Sequence, residues 1–303
     1  MFSASVIICS HNPRPEYLER TLAGLRAQEL SMNQWQLILV DNASSSTLTS
    51  YDLSWHPNGR YVLESELGLS FARRCGIMES TSDIIVFVDD DNVLEPNFLS
   101  SAVTIGRQRP RLGAWGGSVI AEFETRPSAG VMKHIGYLAL RTRTSPCSSA
   151  SLSCADAVPI GAGMCVRSVV ANAYIEQSGS QINLTGRKGG ELSGYDDVEI
   201  CHVACKMGFE IGTFPELRLL HLIPSQRVSE DYLVRLIGAT DYSGFLLNYK
   251  WYGIIPKSPL SLYNMAAFAK HTILDGRTER RIGLARARAR SAARRRIREL
   301  SSG

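Results

Sequence analysis

Three consecutive carboxylates, Asp89, Asp90 and Asp91, follow the apolar run Ile84-Ile85-Val86-Phe87-Val88. Five apolar residues in a row make a buried strand, so the three acids stand at its carboxyl end, facing a ligand crevice. Adjacent carboxylates repel one another, and a divalent cation relieves that repulsion. A spacing of two lets Asp89 and Asp91 point to one side and share a metal, while Asp90 points elsewhere. The competing reading is a solvated acidic turn. A second cluster, Asp196-Asp197-Val198-Glu199, opens a helical pattern after a glycine-rich stretch. Carboxylates there gain from the positive helix N-terminus and could simply cap it. One of them could instead act as a general base, if it faces the metal site.

Other candidates are weaker taken singly. His221 ends an extended apolar run, where a histidine is usually a satisfied core residue. Arg73 and Arg74, in SFARRCG, could meet phosphate charge or could form a solvated helix face. Asp41 ends the strand-like LILVD, where its carboxylate could accept from a nucleobase or ribose, or begin a turn.

These residues need a scaffold that places strand ends together. Apolar runs at 5–9, 35–41, 61–64, 83–89 and 112–120 read as strands. Helical spacing of Tyr17, Leu18, Leu22 and Leu25, a helix over 70–80 and another from Pro96 to about Arg109 alternate with them. That order predicts an α/β fold: a Rossmann-like, mostly parallel central sheet with helices on both faces. Residues 121–156 show no clear period. Residues 158–166 read as a strand or buried loop, 177–194 as a mobile loop, and Asp196–Met207 as a helix closed by Gly208. Two short extended pieces split by Pro215 follow at 210–222, then helices at 229–249 and 260–274 and an Arg-rich helix at the end.

The 303 residues suffice for a large α/β domain with an appendage, and 44% apolar with 20% charged residues is ordinary for a chain with a core. No apolar run approaches a bilayer span, and no basic stretch leads an apolar one at the start. The seven cysteines lack zinc-site spacing and read as free thiols. A cytoplasmic protein is the expectation, and the sequon at Asn183 is read as accidental.

In order along the chain, these segments resemble glycosyltransferase family 2, the inverting enzymes of the GT-A fold. SVIICSHNPRPEYLERTLAGLRAQ is similar to that family's first strand, loop and helix, and LILVDNASS to its second strand with the nucleoside-contacting aspartate. LGLSFARRCGI is similar to its glycine-led helix, although Arg74 stands where Asn is commoner. IIVFVDDDNVLEPNFL resembles the metal-binding Asp-x-Asp segment. GAGMCVRS and the stretch GRKGGELSGYDDVEICHVACKMGFEIGTFPELRLLHLIP resemble the acceptor-side half. The base motif commonly reads Glu-Asp, and here it is Asp196-Asp197.

The resemblance spans roughly residues 4–225. It implies a transferase domain over 1–225, with a nucleotide-sugar half (1–120) and an acceptor half (121–225). A helical extension (226–275) and a basic tail (276–303) lie outside it. It implies Asp89, Asp91 and His221 as ligands of Mn²⁺ or Mg²⁺, with Asp197 as base and Asp196 beside it. Asp41, Arg73, Asp90 and Asn12 fall on the side of the nucleotide-diphosphate sugar, with a uridine or thymidine diphosphate sugar preferred. The acceptor would be a saccharide or lipid-linked saccharide hydroxyl.

Residues 277–300 hold ten arginines and two glutamates, a local charge of +8 against +4 for the whole chain, which leaves the body mildly acidic. Ile282, Ala285, Ala289, Ala293, Ile297 and Leu300 recur at near-helical intervals. That pattern predicts a cationic helix that holds the protein peripherally at an anionic inner membrane face, mainly by charge. A solvated tail is the alternative. Two other function classes are weighed. A sugar-nucleotide-binding scaffold without turnover should lack a usable base, and Asp197 is present. A nucleic-acid-binding protein is not expected, because the tail has no interleaved aromatics and the body no broad basic footprint.

Overall fold

The computed structural model describes residues 2–178, 192, 194–258 and 276–301. In chain order, the strands are β1 (Ala4–Ser10), β2 (Trp35–Asn42), β3 (Gly59–Glu64), β4 (Ile84–Asp89), β5 (Asn92–Leu94), β6 (Leu112–Phe123), β7 (Cys147–Ser149), β8 (Cys165–Arg167) and β9 (Glu210–Ile223). The helices are α1 (Pro15–Arg26), α2 (Leu69–Glu79), α3 (Phe98–Gln108), α4 (Ala129–Met132), α5 (Ser168–Ser178), α6 (Asp196–Lys206), α7 (Glu230–Tyr252) and α8 (Arg277–Ser301). The chain divides into two compact units. The first comprises 1–122, 139–181 and 196–223, and the second 123–138, 182–195 and 224–303.

The first unit is the α/β fold expected from the sequence. One sheet runs in the order β3-β2-β1-β4-β8-β6-β9-β5, with β7 also paired to β9. β1 pairs in parallel with both β2 and β4, and β2 with β3. β8 joins antiparallel to β4 and β6, and β5 and β7 antiparallel to β9. Side chains of β1 alternate between the two faces. Val6 and Ile8 share a core with Leu18, Leu22 and Leu25 of α1 and with Leu99, Ala102 and Val103 of α3. Ile7 meets α2 on the other face. A Cβ at Gly76 would come within 2.4 Å of its Cγ2, so only glycine lets the helix lie that close.

Three expectations change. β5 and α5 were not anticipated; β5 is too short to show a period. Residues 210–222 were expected as two pieces split by Pro215 but form the single strand β9. Pro215 falls between the stretch paired with β7 at Ile211–Thr213 and the stretch paired with β5 at Leu219–His221, where neither ladder needs its missing N–H. Only Cys165–Arg167 of residues 158–166 and the residue after is strand. The expected loop at 177–194, with the sequon, lies almost wholly outside the described residues, and so does the expected helix at 260–274.

The second unit is helical. Ser229 caps α7 by accepting from the Tyr232 N–H, and Gly253, at φ 65°, ends it in the left-handed conformation. The Arg-rich segment is not a solvated tail but the long helix α8, packed along α7. Val131, Leu233, Ile237 and Ile282 form one cluster, and Leu246, Ala293 and Ile297 another. A Cβ at Gly238 of α7 would sit 3.4 Å from that of Ala285, so the small residues of α8 set a close helix–helix approach. The near-helical stripe read from the sequence is therefore this seam, although Leu300 at its end stays 40% exposed. Burying Ile282 and Ile297 contributes about 1.5–3 kcal/mol each. Among the described residues no helix is long and apolar enough to cross a membrane.

Candidate active site

The strand order 3-2-1-4 puts a switch point at β1, since the chain runs outward to β2 and β3 and then returns to β4. Ligands in such sheets bind outside the carboxyl ends at that point. The loops leaving β1, β2 and β4 meet there. The Ser10 hydroxyl donates to the Asp90 carboxylate. His11 Nδ1 lies 2.7 Å from the Asn42 carbonyl oxygen. Asn12, at φ 48°, donates its N–H to Ser44 Oγ at 3.0 Å and accepts from the Ser45 N–H at 2.8 Å.

Asp41 is buried, and both its oxygens accept from backbone: from Ser44 N–H at 3.0 Å and Leu48 N–H at 3.1 Å. Its carboxylate builds the turn after β2. The neighbouring Asn42, which the sequence reading did not single out, accepts from the Gly68 N–H at 2.8 Å and donates to the Glu66 carbonyl at 2.8 Å. Gly68 precedes α2 at φ 149°, a conformation that favours glycine.

Asp89 ends β4 opposite Cys9 of β1. Its N–H donates at 3.2 Å to the side-chain oxygen of Asn92, whose amide donates to Asp91 at 2.9 Å. Asn92 is fully buried and lies opposite His221 in the β5–β9 ladder. That register brings His221 Nε2 to 3.3 Å from Asp91 Oδ2, while the Leu222 N–H donates to the Asp91 carbonyl at 2.8 Å. His221 thus lies well inside, 130 residues along the chain from the acid it meets. Asn92 was missed because an asparagine after three aspartates reads as turn polarity. Among the described residues no group of three His, Cys, Asp or Glu side chains stands ready to enclose a metal. What the fold brings together here is the Asp91–His221 pair.

The second acidic cluster opens α6. Arg73, on α2, reaches Asp196 with Nη1–Oδ2 of 2.6 Å, both side chains about 5% exposed or less. Its guanidinium also lies 5.1 Å from the Phe87 ring centroid. Burial opposes the Arg73 charge, but Asp196 and then Asp89 outweigh it and hold the guanidinium protonated. Arg73 is therefore bound inward to the base motif rather than presented to solvent. Asp197, half-buried beside this pair, accepts from the Gly161 N–H at 2.9 Å and the Val198 N–H at 2.8 Å. Burial, and secondly the Asp196 charge, push the Asp197 carboxyl above the usual carboxylate range; Arg73 and the two N–H groups pull the other way. Gly161 was also missed. A Cβ there would stand 3.1 Å from Arg73 Nη2 and 3.4 Å from Asp197 Oδ2, so the glycine admits the contact. The only signal for it in the sequence is the Gly-Ala-Gly of residues 161–163.

Comparison with known proteins agrees with this architecture. The chain is similar in fold to S. aureus TarS 1–349, with a TM-score of 0.52 and 12% identity over 99% of this chain and 92% of that one. The same protein in complex with UDP-GlcNAc gives a TM-score of 0.54, again at 12% identity and over the same shares of the two chains, 99% and 92%. GalNAc-T7 with UDP, GalNAc and Mn²⁺ gives 0.51 at 15% identity, over 81% of this chain and 50% of that one. No curated protein matches the chain. The family model described as Glycosyl transferase family 2 matches residues 5–157, half of the sequence. With its α/β sheet of GT-A type, the chain is a glycosyltransferase and belongs to glycosyl transferase family 2.

Proposed function

We propose that the protein transfers a sugar, with inversion, from a nucleoside diphosphate sugar to a hydroxyl of a saccharide or lipid-linked saccharide, with Asp197 as the general base. The observation that carries this reading is the setting of Asp197. One oxygen is fixed by the Gly161 N–H, and burial with the neighbouring Asp196 raises its basicity. A base held in place with a raised pKa suits proton removal from an attacking hydroxyl at neutral pH. Arg73 anchors Asp196 and so positions the start of α6.

The donor diphosphate would lie at the carboxyl ends of β1 and β4. Asn12, Asp41 and Asp90 shape the walls there through the loop bonds described above. TarS with UDP-GlcNAc supports a uridine diphosphate sugar as the first donor to try.

The residues fit a hard divalent cation, Mn²⁺ or Mg²⁺. Two ligand atoms each about 2.1 Å from such an ion and at right angles stand roughly 3 Å apart. His221 Nε2 and Asp91 Oδ2 are 3.3 Å apart. Asp91 and His221 would hold the ion, with Asp89 next to them at the end of β4. When bound, the ion neutralises charge on the diphosphate leaving group. Residues 1–225 are assigned as the transferase domain, with the helices beyond it as an extension.

The test is a donor screen that reads nucleoside diphosphate release across several nucleotide sugars, with Mn²⁺, Mg²⁺ or chelator. Release from one donor that requires the metal and is lost in Asp197→Asn supports the reading. Full activity of metal-stripped enzyme in chelator removes the metal assignment, and unchanged turnover of Asp197→Asn removes the base.

A further inference from the structure

Packing divides nine of the ten arginines of α8 into two sets, and the tenth, Arg296, pairs with Glu299 of the same helix at 3.2 Å. Arg281 pairs with Glu230 and Asp231. Arg286 pairs with Asp241 at 3.5 Å and donates to the Tyr137 hydroxyl at 2.9 Å. Arg290 covers the Phe245 ring at 5.4 Å, and Arg294 donates to the Pro256 carbonyl. These four are consumed in joining α8 to its own unit. The second set, Arg277, Arg280, Arg288, Arg295 and Arg298, is exposed, as are Leu284 and Ser291. At 100° per residue these seven fall within about 40° of Leu284, on a line about 30 Å long. No acidic residue lies in that stripe. Among the described residues Arg280, Arg288 and Arg295 have no carboxylate partner.

We propose that this outward stripe docks the protein onto an anionic phospholipid bilayer. The inference is independent of the catalytic reading. Because α7 covers the apolar seam of α8, the helix cannot sink its apolar face into lipid, and adsorption is shallow and electrostatic. Leu284, 42% exposed at the centre of the stripe, is placed to enter the headgroup layer. A second feature of the same unit points the same way. An open cavity of about 650 Å³ beside α4 is lined by Arg126, Pro127, Ala129, Met132 and Lys133. A Cβ at Gly130 would lie 3.9 Å from Thr278 Oγ1, so α4 runs past the start of α8. Two cations around an open cleft, with Met132 48% exposed, suit one phosphate headgroup and its adjoining chain. A nucleic acid would share the charge preference, but the stripe offers no aromatic or amide side chain to stack on or read a base.

The test is co-sedimentation of the full chain with vesicles of equal parts phosphatidylcholine and phosphatidylglycerol, against pure phosphatidylcholine. Arg280→Glu, Arg288→Glu and Arg295→Glu are combined in one variant. A control combines Arg26→Glu, Arg60→Glu and Arg111→Glu, which change net charge equally elsewhere. The stripe variant should retain its helix content and thermal midpoint and lose partitioning by about a hundred-fold at low salt. Wild-type binding should fall steeply with added salt, and the control should bind nearly as wild type. Equal loss in the control, or undiminished binding of the stripe variant, overturns the proposal. So does a stripe variant that loses affinity for a duplex oligonucleotide while its vesicle binding stays intact.

Discussion

Two acidic clusters of nearly the same composition do opposite things in this molecule. Asp89–Asp91 follow the carboxyl end of an interior strand and meet an imidazole, with His221 3.3 Å from Asp91. Asp196–Asp197 begin a helix and meet a guanidinium, with Arg73 2.6 Å from Asp196 in the interior. The first cluster is the one proposed above to receive a cation. In the second, a permanent cation already neutralises one acid, and its neighbour is left as the titratable group. Adjacent aspartates therefore carry no fixed chemistry. The cross-chain partner assigns it.

The sharpest way to break this comparison is at the first cluster. Asp89→Ala or Asp91→Ala should abolish turnover and weaken donor binding with the fold intact, checked by product formation and circular dichroism. Wild-type turnover in either variant would dissolve the distinction between the clusters. At the second cluster, Asp197→Asn should cost roughly two to four orders of magnitude in turnover while donor and metal affinity are kept. Asp196→Asn should do less damage to turnover; the reverse ranking would exchange the two roles.

A finer test asks how each cluster responds to its partner. His221→Ala should raise the metal concentration needed for half activity. If only thermal stability falls, His221 is a core residue and the first cluster loses its second donor. Asp196→Asn should move the acid limb of the kcat/KM profile to lower pH. The base must be deprotonated to act, so activity falls as pH drops through its pKa. The Asp196 charge is one of the causes that raise that pKa, and its removal lowers it. The same variant should lose about 3 kcal/mol of stability, because Arg73 keeps its charge in the interior without its nearest partner. An unmoved limb would mean that Asp197 is not the group titrating.

Much of the scaffold was legible because it rests on local periodicity. The runs that became β1, β2 and β4 are apolar enough to be buried on both faces, and α1 shows its buried stripe as Tyr17, Leu18, Leu22 and Leu25. Short elements escaped, and β5 is the costly case. Its three residues carry Asn92, the side chain that links Asp89 to Asp91 and sets the register against His221. In α8 the helix and its apolar stripe were legible, but what covers the stripe was not.

The sequence by itself determined the strands and helices of the parallel half of the sheet, the order of the acidic motifs and the family to which they belong. These depend on residue type and on spacings of a few positions along the chain, which the backbone geometry of helix and strand fixes. Tertiary structure alone decided the partners. It paired Arg73 with Asp196 across 123 residues and spent one face of α8 on α7. Both outcomes depend on burial and on groups brought together from distant segments, and a carboxylate or guanidinium carries no local mark of which opposite charge the fold will set beside it.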